Sequence, residues 1–249
     1  MQYVIYSHSD YSDILQIQSD YLQSNDTVLF IDKETEFTKN FDRIIIYDDA
    51  MPYAGRVASC LNQLEPNEHF LFVHDIDIVI SSNDALLDEI VNKMVLHDIG
   101  RVDLKIDKCD ANAENPKVEI HHSSNSYLRL DTKSDYTYNV NPSIWRANDL
   151  LVAMTIDKSL GYREIELHSG IQRYCKDIRT HKLICEDHNI VRAGYYDCSD
   201  IFIYLHITHG GRLLPINDSI TSYHGQSYSD VSEEYYAIAS KYLRNSPRW

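Results

Sequence analysis

The stretch Phe70-Leu71-Phe72-Val73-His74-Asp75-Ile76-Asp77-Ile78-Val79-Ile80 constrains the fold more than any other part of the chain. Its first four residues are apolar without a polar break, which is how a strand covered on both faces of a sheet reads. Two carboxylates follow, two residues apart. In an extended segment residues i and i+2 project to one side. The run therefore predicts Asp75 and Asp77 pointing together from the C-terminal end of a buried central strand. Ligands of open α/β sheets bind outside that end. A pair of carboxylates there suits Mg²⁺ or Mn²⁺, which such sites hold through one or two carboxylates plus substrate phosphates.

The residues before this stretch alternate strand and helix patterns. Tyr3-Val4-Ile5-Tyr6-Ser7-His8 reads as a buried strand, residues 7–13 as a polar turn rich in capping residues, and Ile14, Ile17, Tyr21 and Leu22 as the stripe of a helix reaching about residue 24. Strand, polar loop and helix open a nucleotide-binding α/β unit. Neither Gly-x-Gly-x-x-Gly nor a Walker sequence is present, which argues against a dinucleotide fold or a P-loop NTPase. Residues 28–31 and 43–47 read as two more strands. Pro52 opens a helix with the stripe Val57, Cys60, Leu61 and Leu64, and Ser82-Asn83-Asp84 caps another with the stripe Leu87, Ile90, Val91 and Met94. This order favours a three-layer α/β/α sandwich around a mostly parallel sheet.

After Gly100 the pattern changes. Residues 101–106, 126–130 and 136–140 read as strands, 107–117 as a polar loop, and 147–156 as a helix. A smaller, partly antiparallel section with long loops is expected here, where acceptor specificity tends to reside. No linker divides the 249 residues, so one domain is expected, with a nucleotide-binding half over 1–100 and an acceptor half over 101–249.

A formal charge of −15 argues against nonspecific binding to nucleic acid or to an anionic membrane, and leaves open an anionic substrate held through a metal. The cysteines are five and none forms Cys-x-x-Cys, so neither a disulfide framework nor a zinc site is implied. No basic region leads into an apolar core at the N-terminus, and no run has the apolar length of a membrane span. The expectation is a soluble cytoplasmic protein. Tyr235, Ile238, Ala239 and Tyr242 form a late helical stripe, which packs on the domain or serves a homodimer contact.

Two later segments carry chemistry. Tyr162-Arg163-Glu164-Ile165-Glu166-Leu167-His168 sets two carboxylates near the start of a helix expected to run to Tyr174. A carboxylate there can serve as general base toward a hydroxyl, or act in capping and toward the helix dipole. Ile203-Tyr204-Leu205-His206-Ile207-Thr208-His209-Gly210-Gly211-Arg212 reads as a strand running into a His-Gly-Gly-Arg turn, with Tyr223-His224-Gly225 shortly after. His209 and His224 are candidates to complete a metal shell, or are structural. Arg212 beside two glycines is a candidate for a diphosphate, because glycine allows close approach.

The order of these pieces is Tyr53-x-x-Arg56, the Phe-Leu-Phe-Val-x-Asp-x-Asp strand, Asn141-Pro142-Ser143-Ile144-Trp145, Arg163-Glu-Ile-Glu-Leu and a late Gly-Gly-Arg. Together they resemble GT-A-fold glycosyltransferases of bacterial polysaccharide clusters and large-virus genomes, over roughly residues 1–215. The resemblance implies a nucleotide-sugar donor, UDP-sugar favoured, and a glycan or other hydroxyl acceptor. It implies that Ser7, His8, Tyr11, Asp13 and Arg56 hold the nucleoside. Asp77 would ligate the metal at the diphosphate, with Asp75 near the ribose or the ion. Asn141 and Trp145 would face the acceptor. Glu166, or else Glu164, would deprotonate the acceptor hydroxyl in one inverting displacement. Two other readings use the same residues: a nucleotidyltransferase, which would call for a glycine-rich basic loop where Ser-His-Ser-Asp-Tyr-Ser-Asp stands, and a non-catalytic carbohydrate-binding protein of the same fold.

Overall fold

The computed structural model describes residues 1–22, 26–66, 68–108, 117–123, 126–131, 137–185, 192–193, 196–198, 201–209, 212–213, 237–238 and 240–243. In chain order the elements are β1 (Gln2–Tyr6), α1 (Ser12–Tyr21), β2 (Asp26–Ile31), β3 (Arg43–Ile46), α2 (Tyr53–Leu61), β4 (His69–His74), β5 (Asp77–Ser82) and α3 (Asp84–His97). Then come β6 (Arg101–Lys108), β7 (Lys117–Glu119), β8 (Ser126–Leu130), β9 (Ser143–Arg146), α4 (Ala147–Thr155) and α5 (Ser169–Asp177). The rest are β10 (His181–Cys185), β11 (Arg192–Ala193), β12 (Tyr196–Cys198), β13 (Phe202–His206), β14 (Thr208–His209) and β15 (Arg212–Leu213).

The large sheet has the order β3-β2-β1-β4-β9-β6-β10-β8-β7. From its pairings, β3, β2, β1, β4, β6, β10 and β7 run one way, and β9 and β8 run against them. Strand β1 pairs with β2 on one side and β4 on the other. The chain therefore builds outward from β1 to β3, then returns to place β4 on the opposite flank. The crevice between β1 and β4 is the topological switch point, where α/β sheets bind ligands.

Strand alternation makes the two cores. Tyr3, Ile5, Leu71 and Val73 face one side, with Leu15 from α1 and Leu86, Leu87, Ile90 and Met94 from α3. Val4, Tyr6, Phe70 and Phe72 face the other, with Val57 and Leu61 from α2, Leu150, Ala153 and Met154 from α4, and Ile171 and Cys175 from α5. The expected three-layer sandwich with a mostly parallel sheet is what forms. Beside it lies a small sheet of order β11-β12-β13-β5, whose adjoining pairs are antiparallel. Ile78, Leu205 and Ile207 pack there against Ile14 and Ile17 of α1, and the late residues Ile238 and Leu243 are buried in the same cluster. Among the described residues no helix is long and apolar enough to cross a membrane.

Three expectations are corrected. The stretch 70–80 is two strands in two sheets: β4 ends at His74, Asp75 and Ile76 turn, and β5 starts at Asp77 and pairs with β13. Continuous hydrophobicity hid the break, because both strands are buried. Residues 137–142 are bends and loop, not a strand, and Tyr136 lies outside the described residues. The helix expected from the two glutamates begins only at Ser169. Residues Ile165–Leu167 form a separate 3₁₀ turn, and His168 caps α5 by accepting from the Ile171 N–H at 3.4 Å.

Candidate active site

Four parallel strands end at the switch point, and each contributes to it. After β1, the Ser7 hydroxyl donates to Asp75 Oδ2 at 2.6 Å, and the Asp75 N–H donates to the Tyr6 carbonyl at 3.0 Å. Ser7, which the resemblance places at the nucleoside, is itself buried and orients Asp75. After β2, Asp32 takes both the N–H and the hydroxyl of Ser9, at 2.6 and 2.7 Å. Burial works to raise the Asp32 pKa, but these two bonds and the nearby His8 hold the carboxyl below its usual value. After β3, Tyr47 stacks on Tyr6 at 5.4 Å and donates its hydroxyl to the Ser7 carbonyl at 2.7 Å.

His8 and Arg56 close the outer side. His8 Nδ1 accepts from the Asp10 N–H at 3.1 Å, and its Nε2 lies 3.3 Å from Asp49 Oδ1. Arg56 spans the loop between β3 and α2, donating to the carbonyls of Met51 and Asp49 at 2.6 Å each, with its guanidinium above the Tyr47 ring. It also pairs with Asp49 Oδ1 at 2.8 Å. Tyr11 packs against the α1 side of the small sheet, and Asp13 lies in the first turn of α1.

Asp77 opens β5 directly beside His206 of β13. Its Oδ1 is 2.7 Å from His206 Nδ1, and the strand register sets the two residues opposite each other. The Asp75–Ile76 turn and the start of β5 are secured from two sides. The Ile207 N–H donates to the Ile76 carbonyl at 2.9 Å. Gln18 of α1 donates to the Asp77 carbonyl at 3.4 Å and accepts from the Val79 N–H at 3.2 Å. Asp75 is 7% exposed and Asp77 4%. The two carboxylates therefore flank a junction of two sheets, Asp75 held by Ser7 after β1 and Asp77 by His206 of β13.

His74 ties this junction to the second half of the chain. Its Nε2 meets the Tyr53 hydroxyl at 2.8 Å, and its Nδ1 meets the Val140 carbonyl at 3.0 Å. Burial pushes its pKa down to about 4, against the opposing pull of Asp77. A neutral ring with one donor and one acceptor nitrogen satisfies both bonds: Tyr53 donates to Nε2, and Nδ1–H donates to Val140. The N–H of Val140 in turn donates to Glu166 Oε1 at 2.8 Å. One residue of the 137–142 loop thus links β4 to Glu166.

The two glutamates part company here. Glu166 is half-buried and directed at Val140, whereas Glu164 is exposed and accepts from the Gly161 N–H at 2.8 Å, closing its own turn. Between the carboxylates lies Tyr162, packed edge-on to His74 and Tyr53 at 5.3 and 5.2 Å. Burial raises the Tyr162 pKa, and the charges of Asp77, Glu166 and Asp75 raise it further. The phenol stays protonated and is a hydrogen-bond donor among three acids. Gln172 of α5 holds the loop and the turn together. It donates to the carbonyls of Tyr138 and Glu166 and accepts from the Tyr138 N–H at 2.8 Å.

Trp145, expected to face the acceptor, is 1% exposed in β9, between Tyr138 and the Arg101 guanidinium. Asn141 is half-buried on the loop beside Val140, and its carbonyl accepts from the Ser143 hydroxyl at 2.8 Å. His209 and Arg212 are register partners in the β14–β15 pair, and His224 lies outside the described residues. The histidine that meets Asp77 is His206, which a strand-end position three residues before His209 did not single out. Asp32, Tyr162 and Gln172 also escaped sequence reasoning, since nothing in their local spacing marks them.

Hard carboxylate oxygens at the switch point fit Mg²⁺ or Mn²⁺. Among the described residues no group of three or more His, Cys, Asp or Glu side chains is arranged to hold a metal ion. The fit is therefore to an ion shared between this carboxylate pair and a substrate's own phosphates, not to a complete protein cage.

No protein-family model matches the chain, and no curated protein sequence matches it. Its fold is similar to those of several solved structures. An active-site mutant of LgtC aligns over 96% of this chain and 95% of its own, at 9% identity and a TM-score of 0.47. A glucose-1-phosphate thymidylyltransferase of Bacillus anthracis, so described provisionally and solved with sucrose, aligns over 75% and 87%, at 12% identity and 0.44. The bifunctional IspDF of Campylobacter jejuni aligns over 75% of this chain and 50% of its own, at 11% identity and 0.40. This chain thus spans about half the length of that last protein. These values are too low to carry an activity from those proteins to this chain.

Proposed function

We propose that the chain is a metal-dependent glycosyltransferase that moves a sugar from a nucleoside-diphosphate donor, UDP-sugar favoured, to a hydroxyl acceptor with inversion. One observation carries this reading. Three carboxylates, Asp77, Glu166 and Asp75, act electrostatically on the single phenol of Tyr162, and Glu166 is tied to β4 through Val140 and His74. Asp77 and Asp75 would hold a divalent cation, which supplies positive charge to the leaving diphosphate.

The chain's own groups do the rest. Val140 N–H fixes one oxygen of Glu166, and Oε2 makes no hydrogen bond among the described residues. That oxygen accepts the proton of the acceptor hydroxyl as the new bond to the anomeric carbon forms and the bond from that carbon to the diphosphate breaks. Tyr162, kept protonated, donates toward the acids or the donor sugar. The half-buried Asn141, next to Val140, would border the acceptor. A nucleotidyltransferase would require cationic groups in the turn after β1. Here that turn holds His8, Ser9 and Asp10, with Asp32 and Asp49 beside it.

The test is thermal denaturation against UDP, GDP, CDP and dTDP, each with and without Mn²⁺. One nucleotide should raise the melting temperature in a metal-dependent way. Asp77→Asn should abolish that increment. Glu166→Gln should keep it while lowering transfer or donor hydrolysis by about 10²-fold or more, and Glu164→Gln should leave both near wild type. If no nucleotide shifts the melting temperature, the transferase reading fails.

A further inference from the structure

Thr208 of β14 is a residue for which the free protein provides no use. It is 1% exposed, and its Oγ1 is buried without a hydrogen-bond partner among the described residues. Buried hydroxyls are almost always paired, and one left without a partner calls for a specific explanation. Its position supplies one. Along this edge Leu205 and Ile207 point into the apolar cluster shared with α1, and so does Ile78. The alternate residues face the other way: Tyr204 and Val79 join the main core, and His206 meets Asp77. β13 ends at His206, and Thr208 opens β14 two residues further on, in the separate β14–β15 pair. The Ile207 N–H bond to the Ile76 carbonyl anchors this point of the chain against the Asp75–Asp77 turn. Thr208 thus follows directly on the residue whose N–H is bonded to the turn between Asp75 and Asp77, the carboxylates assigned above to the metal and diphosphate.

We propose that Thr208 is a donor-binding residue whose hydroxyl donates to a phosphate oxygen of the nucleoside diphosphate. This rests on the transferase reading of the site and extends it to a residue on β14. The hydroxyl is a compact neutral donor, suited to a phosphate oxygen next to a carboxylate where a lysine would instead pair with the acid. Among the described residues it is an uncompensated polar atom. With a diphosphate in the crevice it is satisfied.

The experiment compares Thr208→Val, which keeps the shape and loses the hydroxyl, with Thr208→Ser, which keeps the hydroxyl. Titration calorimetry with UDP plus Mn²⁺ and with UMP, and melting of the ligand-free proteins, are measured for each. Losing a hydrogen bond to a charged group should weaken UDP binding about tenfold or more in Thr208→Val. Thr208→Ser should stay within about threefold of wild type. Ligand-free Thr208→Val should melt at or above the wild-type temperature, because a buried unpaired hydroxyl has been removed. UMP, if it binds, should bind the two variants more nearly alike than UDP does. Wild-type UDP affinity in Thr208→Val, or equal losses in Val and Ser, overturns the proposal while leaving the transferase reading standing. Absence of any nucleotide binding by the wild type overturns both. If Thr208→Val does not fold, Thr208→Ala against Thr208→Ser supplies the same comparison.

Discussion

At the scale of single residues, His74 shows how the site trades solvation for position. Its ring is enclosed by Tyr6, Phe72, Tyr53 and Tyr162, and burial lowers its pKa from 6.5 to about 4. In the folded protein it therefore stays neutral where the unfolded chain takes up a proton. Its contribution to stability is intact above about pH 6.5 and is lost progressively as pH falls toward about 4, by up to about 3 kcal/mol. Urea melts of the metal-free protein across that window should show wild type losing more stability than His74→Gln. Equal pH dependence would mean that the ring ionises normally. Single-residue legibility was uneven. Asp75, Asp77 and Glu166 stood out because carboxylates in an apolar run or at an element boundary are chemically conspicuous. His206 and Tyr162 did not, since their roles exist only through partners 129 residues away for His206–Asp77 and through burial for Tyr162.

Among the elements, the 137–143 loop carries the greatest share of the site's geometry with little regular structure of its own. Arg101, at the start of β6, organises it from below. Fully buried, it donates to the carbonyls of Thr137 and Asn139, to the Asn139 side chain at 2.7 Å and to the Ser143 hydroxyl at 2.8 Å. Asn139 in turn donates to Asp103 at 2.6 Å. Arg101→Met would leave these acceptors and the Asp103 charge buried without their cation. The expected cost is about 3 kcal/mol or more in urea melts, with faster amide exchange at Val140. A loss below about 0.5 kcal/mol would show that the loop holds itself. Helical stripes and the first three strands were readable because their periodicity is local. The strand expected at 136–140 was not a strand, because its polar backbone is satisfied by a buried arginine and by Gln172 instead of by a neighbouring strand. The break at Asp75 was equally hidden, as Ile78 and Val79 are as buried as Leu71 and Val73 while belonging to another sheet.

For the whole molecule, the alternation of strands and helices over the first hundred residues made the sandwich legible, whereas the insertion of β9 between β4 and β6 depends on pairings far apart in sequence. Net charge acts at this same scale. On the proposed transferase reading, a chain with formal charge −15 would admit an anionic nucleotide near Asp32, Asp49, Asp75, Asp77 and Glu166. Arg56, proposed to hold the nucleoside, is already paired with Asp49. Long-range repulsion then slows the approach of metal-free UDP, and salt relieves it. Raising ionic strength from about 0.01 M to about 0.15 M shortens the screening length from about 30 Å to about 8 Å. The association rate of a fluorescent UDP analogue, followed by stopped flow without metal, should therefore rise with salt. With Mn²⁺ bound to the carboxylates the repulsion is partly cancelled, and the salt dependence should flatten. A basic phosphate site predicts the opposite slope, since salt then screens attraction. A rate that falls with salt in the absence of metal would show that the local field at the crevice is positive despite the acidic chain, and would move the phosphate contacts away from the Asp75–Asp77 turn.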